Sequence, residues 1–200
     1  MKRLLATAAA AAICVGAPAL ASAQDAPNTS NTGVYANLGW SHLMTNGANV
    51  EGIQGRLGYR FIPYLGVEGE LRGGLSTGNT TRDYTTGAPP VTTGINTGVK
   101  QTIGGAGYAV GFLPLGNRLD LLARVGYGWS HYDLTPAGLG KYGTNEHGVR
   151  YGVGGQYLFD GANGVRVDWT REHMSNFTVP TGLDVNNHAD VIGVSFVHKF

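Results

Sequence analysis

The stretch GVSFVHKF, residues 193 to 200, closes the sequence. Within and just before it, Ile192, Val194, Phe196 and Phe200 share one parity, while Gly193, Ser195 and Lys199 hold the other. That is the two-residue period of a strand with one apolar face. Terminal backbone is poorly ordered unless something ties it down. A chain that ends inside a strand, on an aromatic residue, therefore predicts a sheet that holds this strand and a non-aqueous surrounding for its apolar face.

The same alternation recurs upstream. In GVYANLGW (33–40) one face carries Val34, Ala36, Leu38 and Trp40; in LDLLARVGYGW (119–129) one carries Leu119, Leu121, Ala123, Val125, Tyr127 and Trp129. In GVRYGVGGQYLF (148–159) the apolar set is Val149, Tyr151, Val153, Tyr157 and Phe159. The opposite parity carries the charges: Arg56 and Arg60, Glu68, Glu70 and Arg72, Asp120 and Arg124, Arg150, then Arg166, Asp168 and Glu172. Strands are predicted near 33–42, 51–62, 64–75, 99–113, 118–132, 147–159, 164–175 and 188–200. Their connections take turns at being short (61–64, 113–118, 159–164) and long (42–50, 76–98, 133–147, 176–188). An up-and-down order puts every long loop at one end, the asymmetry of outer-membrane barrels.

Placement of the two faces follows from composition. A soluble barrel would turn its charged parity to water, yet charged residues make up only 14% of the chain. Glycines also occupy much of that parity, at 39, 58, 126, 128, 152 and 154. A solvent face of glycines makes a weak sheet, whereas small residues among paired charges suit a narrow barrel interior. The reading is an all-β fold, an eight-stranded antiparallel up-and-down transmembrane β-barrel with its apolar parity toward lipid. Trp40, Phe61, Tyr64, Phe112, Trp129, Phe159, Trp169 and Phe200 are expected as interfacial girdles. Closure is required because an unpaired backbone edge in hydrocarbon costs several kcal/mol per group.

The N-terminus indicates export. Lys2 and Arg3, an apolar run from Leu4 to Leu20 and the sequence ALASAQD make a cleavable signal peptide over 1–23, leaving a barrel domain over 24–200. Cys14 is the only cysteine and falls inside that segment, so the mature chain is expected to have neither a disulfide nor a thiol nucleophile. Without Lys2 and Arg3 the 14 basic residues become 12 against 13 acidic ones. That balance gives no reason to propose nucleic acid as a partner. No apolar run after the signal reaches the ~20 residues of a membrane helix.

GVYANLGW, FIPYLGVEGELRGG (61–74), GVRVDWTRE (164–172) and VIGVSFVHKF (191–200) together resemble the small eight-stranded outer-membrane barrels of the OmpA-like and opacity-protein group. The resemblance implies a Gram-negative outer membrane, with its lipids and lipopolysaccharide around the barrel. It also implies an assembly signal at Ile192, Val194, Phe196 and Phe200, read by the barrel-assembly machinery. His198 stands where that signal usually has an apolar or aromatic residue. No peptidoglycan-binding domain is expected after Phe200.

Function is less defined. Long loops rich in Thr, Asn and Gly suit contact with a host cell or phage, so the leading expectation is a non-enzymatic structural or adhesin-like barrel. The interior charges could line a narrow pore; eight strands instead favour a filled lumen of neutralised pairs. No cofactor or metal is expected, because His42, His131, His147, His173, His188 and His198 show no close pair at ligand spacing. The stretch EHMSNF (172–177) resembles the HxSN motif of outer-membrane lipid A deacylases. That resemblance implies, as an alternative, an esterase with His173 as base, Ser175 as nucleophile and Asp190 as the orienting carboxylate.

Overall fold

The computed structural model describes residues 32–45, 47–86, 91–138, 140–173 and 188–200, with 82–86 and 91–93 as backbone only. The signal-peptide region and Ser175 fall outside them. Nine strands are present among the described residues: β1 (Gly33–Thr45), β2 (Ala48–Ile62), β3 (Leu65–Gly74), β4 (Gly78–Thr86), β5 (Val91–Leu115), β6 (Leu119–Pro136), β7 (Tyr142–Leu158), β8 (Asn163–His173) and β9 (His188–Lys199).

Eight of them close a ring. Going round, β1 pairs with β2, β2 with β3, β3 with β5, and β5 through β9 pair in order. The return of β9 to β1 completes it, from Tyr35↔Lys199 to Met44↔Asp190. All of these pairings are antiparallel, as expected for an up-and-down barrel. At the seam the Phe200 amide donates to Val34 O at 3.0 Å and the Lys199 amide to Ala162 O at 2.8 Å. The closing strand is thus hydrogen-bonded along both of its edges.

The ninth strand corrects the loop assignment. Residues 76–98 were expected as a long connection, yet β4 pairs with the first part of β5, from Gly78↔Val99 to Thr86↔Val91. Residues 42–50 and 133–147 likewise continue as ladder, through Thr45↔Ala48 and Leu134↔Tyr142. Gly47, at φ +80, serves the tight turn after β1. In the β4–β5 ribbon Thr, Asn and Gly dominate both parities, so little apolar alternation marks it, while its β-branched threonines suit strands. In 42–50 and 133–147, Leu43, Ala48, Val50 and Leu134 face inward.

The two faces fall as the parity predicts. Leu38, Leu57 and Leu71 are 63%, 63% and 64% exposed on the outside, whereas Arg166 is 0% exposed within. Phe112 is a correction. It was expected in an interfacial girdle, but it points into the lumen and meets Tyr35 edge-on at 6.1 Å. The outward positions of this part of β5 are Gly105, Gly107, Ala109 and Gly111, so here the larger apolar parity marks the inside.

At the turn between β7 and β8, Asp160 accepts from the Ala162 amide (3.0 Å), the Asn163 amide (2.6 Å) and Asn163 Nδ2 (2.9 Å). The Asn163 side chain, then the backbone donors, hold the Asp160 carboxyl down at about 2. A depressed carboxyl favours the folded turn above its unfolded value near 4, and that contribution disappears as pH falls through 2. Carboxyl-carbon NMR of the barrel in detergent micelles should therefore show Asp160 titrating near 2, and in Asn163→Ala it should titrate closer to 4.

Candidate functional site: a filled lumen and a polar outer rim

Inside the ring the side chains form layers along the axis. At the short-turn end lies an apolar cluster of Tyr35, Tyr108, Val110, Phe112 and Leu122. At the loop end lies another, made of Leu43, Ala48, Val50, Val99, Tyr132, Leu134, Ala189 and Val191. Between them sits the charged layer.

Three carboxylates organise that layer. Glu70 accepts from Arg56 Nε at 2.7 Å, Arg72 Nη2 at 2.6 Å and Arg124 Nη1 at 3.2 Å. Asp168 takes Arg56 at 2.6 and 2.9 Å and Arg124 at 2.7 Å. Glu68 takes Arg166 at 2.7 Å, Arg124 at 3.2 Å and the Tyr35 hydroxyl at 3.1 Å. Toward the loop end Glu172 stands 2.8 Å from Arg72 and 3.3 Å from Arg150. Arg60 pairs with Asp120 at 2.9 Å nearer the short turns, and its guanidinium lies 4.2 Å above the Phe112 ring.

Every interior charge expected from the sequence is therefore in the lumen and ion-paired. Glu146, Gln54, Gln101, Ser130 and Thr170 are also buried there, although they were not anticipated. Parity signals Gln54, Ser130 and Thr170, which follow the outward Ile53, Trp129 and Trp169, whereas Gln101 and Glu146 have polar neighbours on both sides. Burying such charges is costly unless each is paired and hydrogen-bonded. At Glu68, Glu70 and Asp168, sharing one carboxylate among several guanidiniums meets that demand.

The outer face changes character along its height. Apolar side chains form a band, and above it the outward positions become polar. His42 Nδ1 lies 2.7 Å from Glu51 Oε1 and its ring stacks on Trp40 at 5.8 Å. His131 Nδ1 lies 2.7 Å from Asn145 Oδ1. Ile192, Val194, Phe196 and Phe200 all face outward, and His198 between them is bound through Nδ1 to Asn163 Oδ1 at 2.8 Å.

Of the three esterase candidates, His173 lies at the outward end of β8 and Ser175 lies outside the described residues. Asp190 is on the same outer face, but Arg171 donates to both of its oxygens, Nε and Nη2 each at 2.9 Å. The ladder places His173 opposite His188 and Asp190 opposite Arg171. His173 and Asp190 are therefore not a directly opposed pair.

The family model described as the outer membrane protein beta-barrel domain matches residues 7–200. Among solved structures, the outer membrane protein OprG from Pseudomonas aeruginosa is similar with a TM-score of 0.58 at 13% identity, over 85% of this chain and 97% of that one. Neisserial surface protein A gives 0.55 at 10% identity, over 84% and 96%. Ail, the attachment invasion locus protein of Yersinia pestis, gives 0.51 at 12%, over 84% and 98%. At these identities the likeness is one of fold. No curated protein matches the sequence.

Removing one shared carboxylate strands several guanidiniums in the lumen. Glu70→Ala should lower the unfolding free energy by about 3–5 kcal/mol, read by urea unfolding of the barrel in micelles through tryptophan emission. Lys141→Ala removes an exposed partner of Asp133 at 3.0 Å and should change it by less than about 1 kcal/mol.

Proposed function

The chain belongs to the outer membrane protein β-barrel domain family, and from that premise we propose a closed, non-catalytic barrel of a Gram-negative outer membrane that acts through its loop-side end. The signal peptide is removed after Ala23. Ile192, Val194, Phe196 and Phe200 are read by the barrel-assembly machinery, lipid and lipopolysaccharide surround the apolar band, and the exposed end meets a host-cell or phage ligand.

The observation that carries this reading is the layered lumen. Two apolar clusters bracket a neutralised ion-pair layer, so the interior supports neither a hydrated path nor a substrate chamber. Activity is then left to the outside. There the β4–β5 ribbon extends the sheet with polar, threonine-rich strands. β5 has 25 residues, about 80 Å of extended chain, where a tilted strand needs only about 9–11 residues to span the membrane. Much of β5 is thus available beyond the bilayer for contact with other surfaces. The commitment of Asp190 to Arg171 weighs against an esterase role for His173 and Ser175.

Two measurements test the proposal. In planar bilayers the folded barrel should give no stepwise conductance in neutral salt; steady channels would replace the closed barrel with the narrow-pore reading. Replacing residues 81–96 by Asn-Gly should leave heat-modifiable migration and outer-membrane level unchanged while reducing attachment of expressing cells to host cells, or phage adsorption, by tenfold or more (order of magnitude for loss of a principal contact). Unchanged binding in both assays would remove the ribbon from the function.

A further inference from the structure

The described end of the β8–β9 ladder brings together two histidines that are distant in sequence. The register runs from Asn163↔His198 through Trp169↔Ile192, Arg171↔Asp190 and Glu172↔Ala189 to His173↔His188. Glu172 and Ala189 point into the lumen, at 2% and 0% exposed. His173 and His188 therefore share the outer face, one exposed and the other half-buried. Directly opposed residues of an antiparallel pair hold their Cβ atoms about 4.5–5.5 Å apart. Two imidazoles rooted at that distance can close on a single ion.

From this juxtaposition we propose that His173 and His188 form a two-imidazole binding site for a borderline divalent transition metal at the loop-side rim of the barrel. Just below, Arg171 holds both oxygens of Asp190, which braces the two strands under the site. Lower still, Trp169 pairs with Ile192 at the top of the apolar band, and Arg171 lies 5.5 Å over the Trp169 ring. The site thus stands above the hydrocarbon, where water reaches the metal. Other imidazoles on the outer face are engaged elsewhere: His42 with Glu51, His131 with Asn145, His198 with Asn163, and His147 against the Tyr127 ring.

The donor set decides the ligand class. Imidazole suits Cu2+, Ni2+ and Zn2+, and among first-row divalent ions affinity peaks at Cu2+. Among the described residues no group of three His, Cys, Asp or Glu side chains gathers for a metal. Two protein donors with water in the remaining positions make an open, exchangeable site rather than a closed structural one. Among the described residues, Arg171 and Asp190 lie just below the pair in the ladder, with Tyr151 of β7 opposite Arg171 and Met44 of β1 opposite Asp190.

The test uses the full mature chain, without a histidine tag, folded in detergent micelles and titrated with Cu2+, Ni2+ and Zn2+ by calorimetry. One equivalent of Cu2+ should bind, with Cu2+ tighter than Ni2+ and Zn2+, and pulsed EPR should show two coordinated imidazoles. His173→Ala and His188→Ala should each weaken Cu2+ by at least about tenfold, the loss of one arm of a chelate, and the double variant should lose little more. His42→Ala and His131→Ala should bind as the parent does, and heat-modifiable migration checks that every variant is folded. The proposal is overturned if the parent binds no tighter than the double variant, if EPR shows a single imidazole, or if the loss follows His42 or His131. His188→Asn gives the same reading at a gentler perturbation, should His188→Ala fail to fold.

Discussion

Eight strands closed into a ring enclose a space only as wide as the side chains that fill it, and that narrowness governs most of what the sequence does. The arginines of the lumen cannot be hydrated individually, so carboxylates on other strands must neutralise them where they stand. Arg56 reaches Asp168, 112 positions away, and Arg124 touches Glu68, Glu70 and Asp168 together. Such contacts fasten opposite walls of the ring through its centre, in addition to the backbone ladder around its circumference.

The same narrowness explains the glycines of the inward parity. A Cβ at Gly58 would fall 2.2 Å from Cζ of the Tyr35 ring, and one at Gly128 would fall 2.5 Å from the Arg150 guanidinium. These positions are empty so that a large side chain from the neighbouring strand can cross them. The outward glycines differ. A Cβ at Gly107 would meet nothing within 4 Å, and at Gly55 its nearest neighbour is a carbonyl at 4.0 Å. Together with Gly69 and Gly105 they open a groove of about 730 Å³ between Leu57, Leu71, Tyr127 and Trp129. One residue type thus serves two ends, clearing space for packing inside and thinning the wall outside.

The ring was legible in the sequence because a barrel strand has a solid face and a different face, and parity alone separates them. Leu38 and Leu57 outside, with Arg124 and Asp168 inside, were readable one strand at a time. Who pairs with whom was not, because register between distant strands is set by turns and by packing that a single strand does not encode. The β4–β5 ribbon was missed for a different reason. Where both faces are Thr, Asn and Gly, the hydrophobic period that announces a strand is absent, although the backbone pairing is not. Phe112 failed through a local inversion, in which outward glycines and alanine left the bulky parity to the lumen. His173 and His188 are fifteen positions apart, and only the register reveals them as neighbours.

His198 shows how the closing strand accommodates a polar ring among outward apolar neighbours. Its Nδ1 is bound to Asn163 Oδ1, and its ring meets Phe200 edge-on with centroids 4.6 Å apart. Asn163 in turn donates through its side chain to Asp160 in the adjoining turn. The histidine is thereby tied into the turn network at the edge of the apolar band, where an amphipathic ring can keep its carbon face toward the aromatic residue and its polar atom on a partner. A residue that breaks the apolar pattern of the strand instead couples the β9 seam to the β7–β8 turn, so that closure of the barrel and rigidity of its short-turn end depend on the same few side chains.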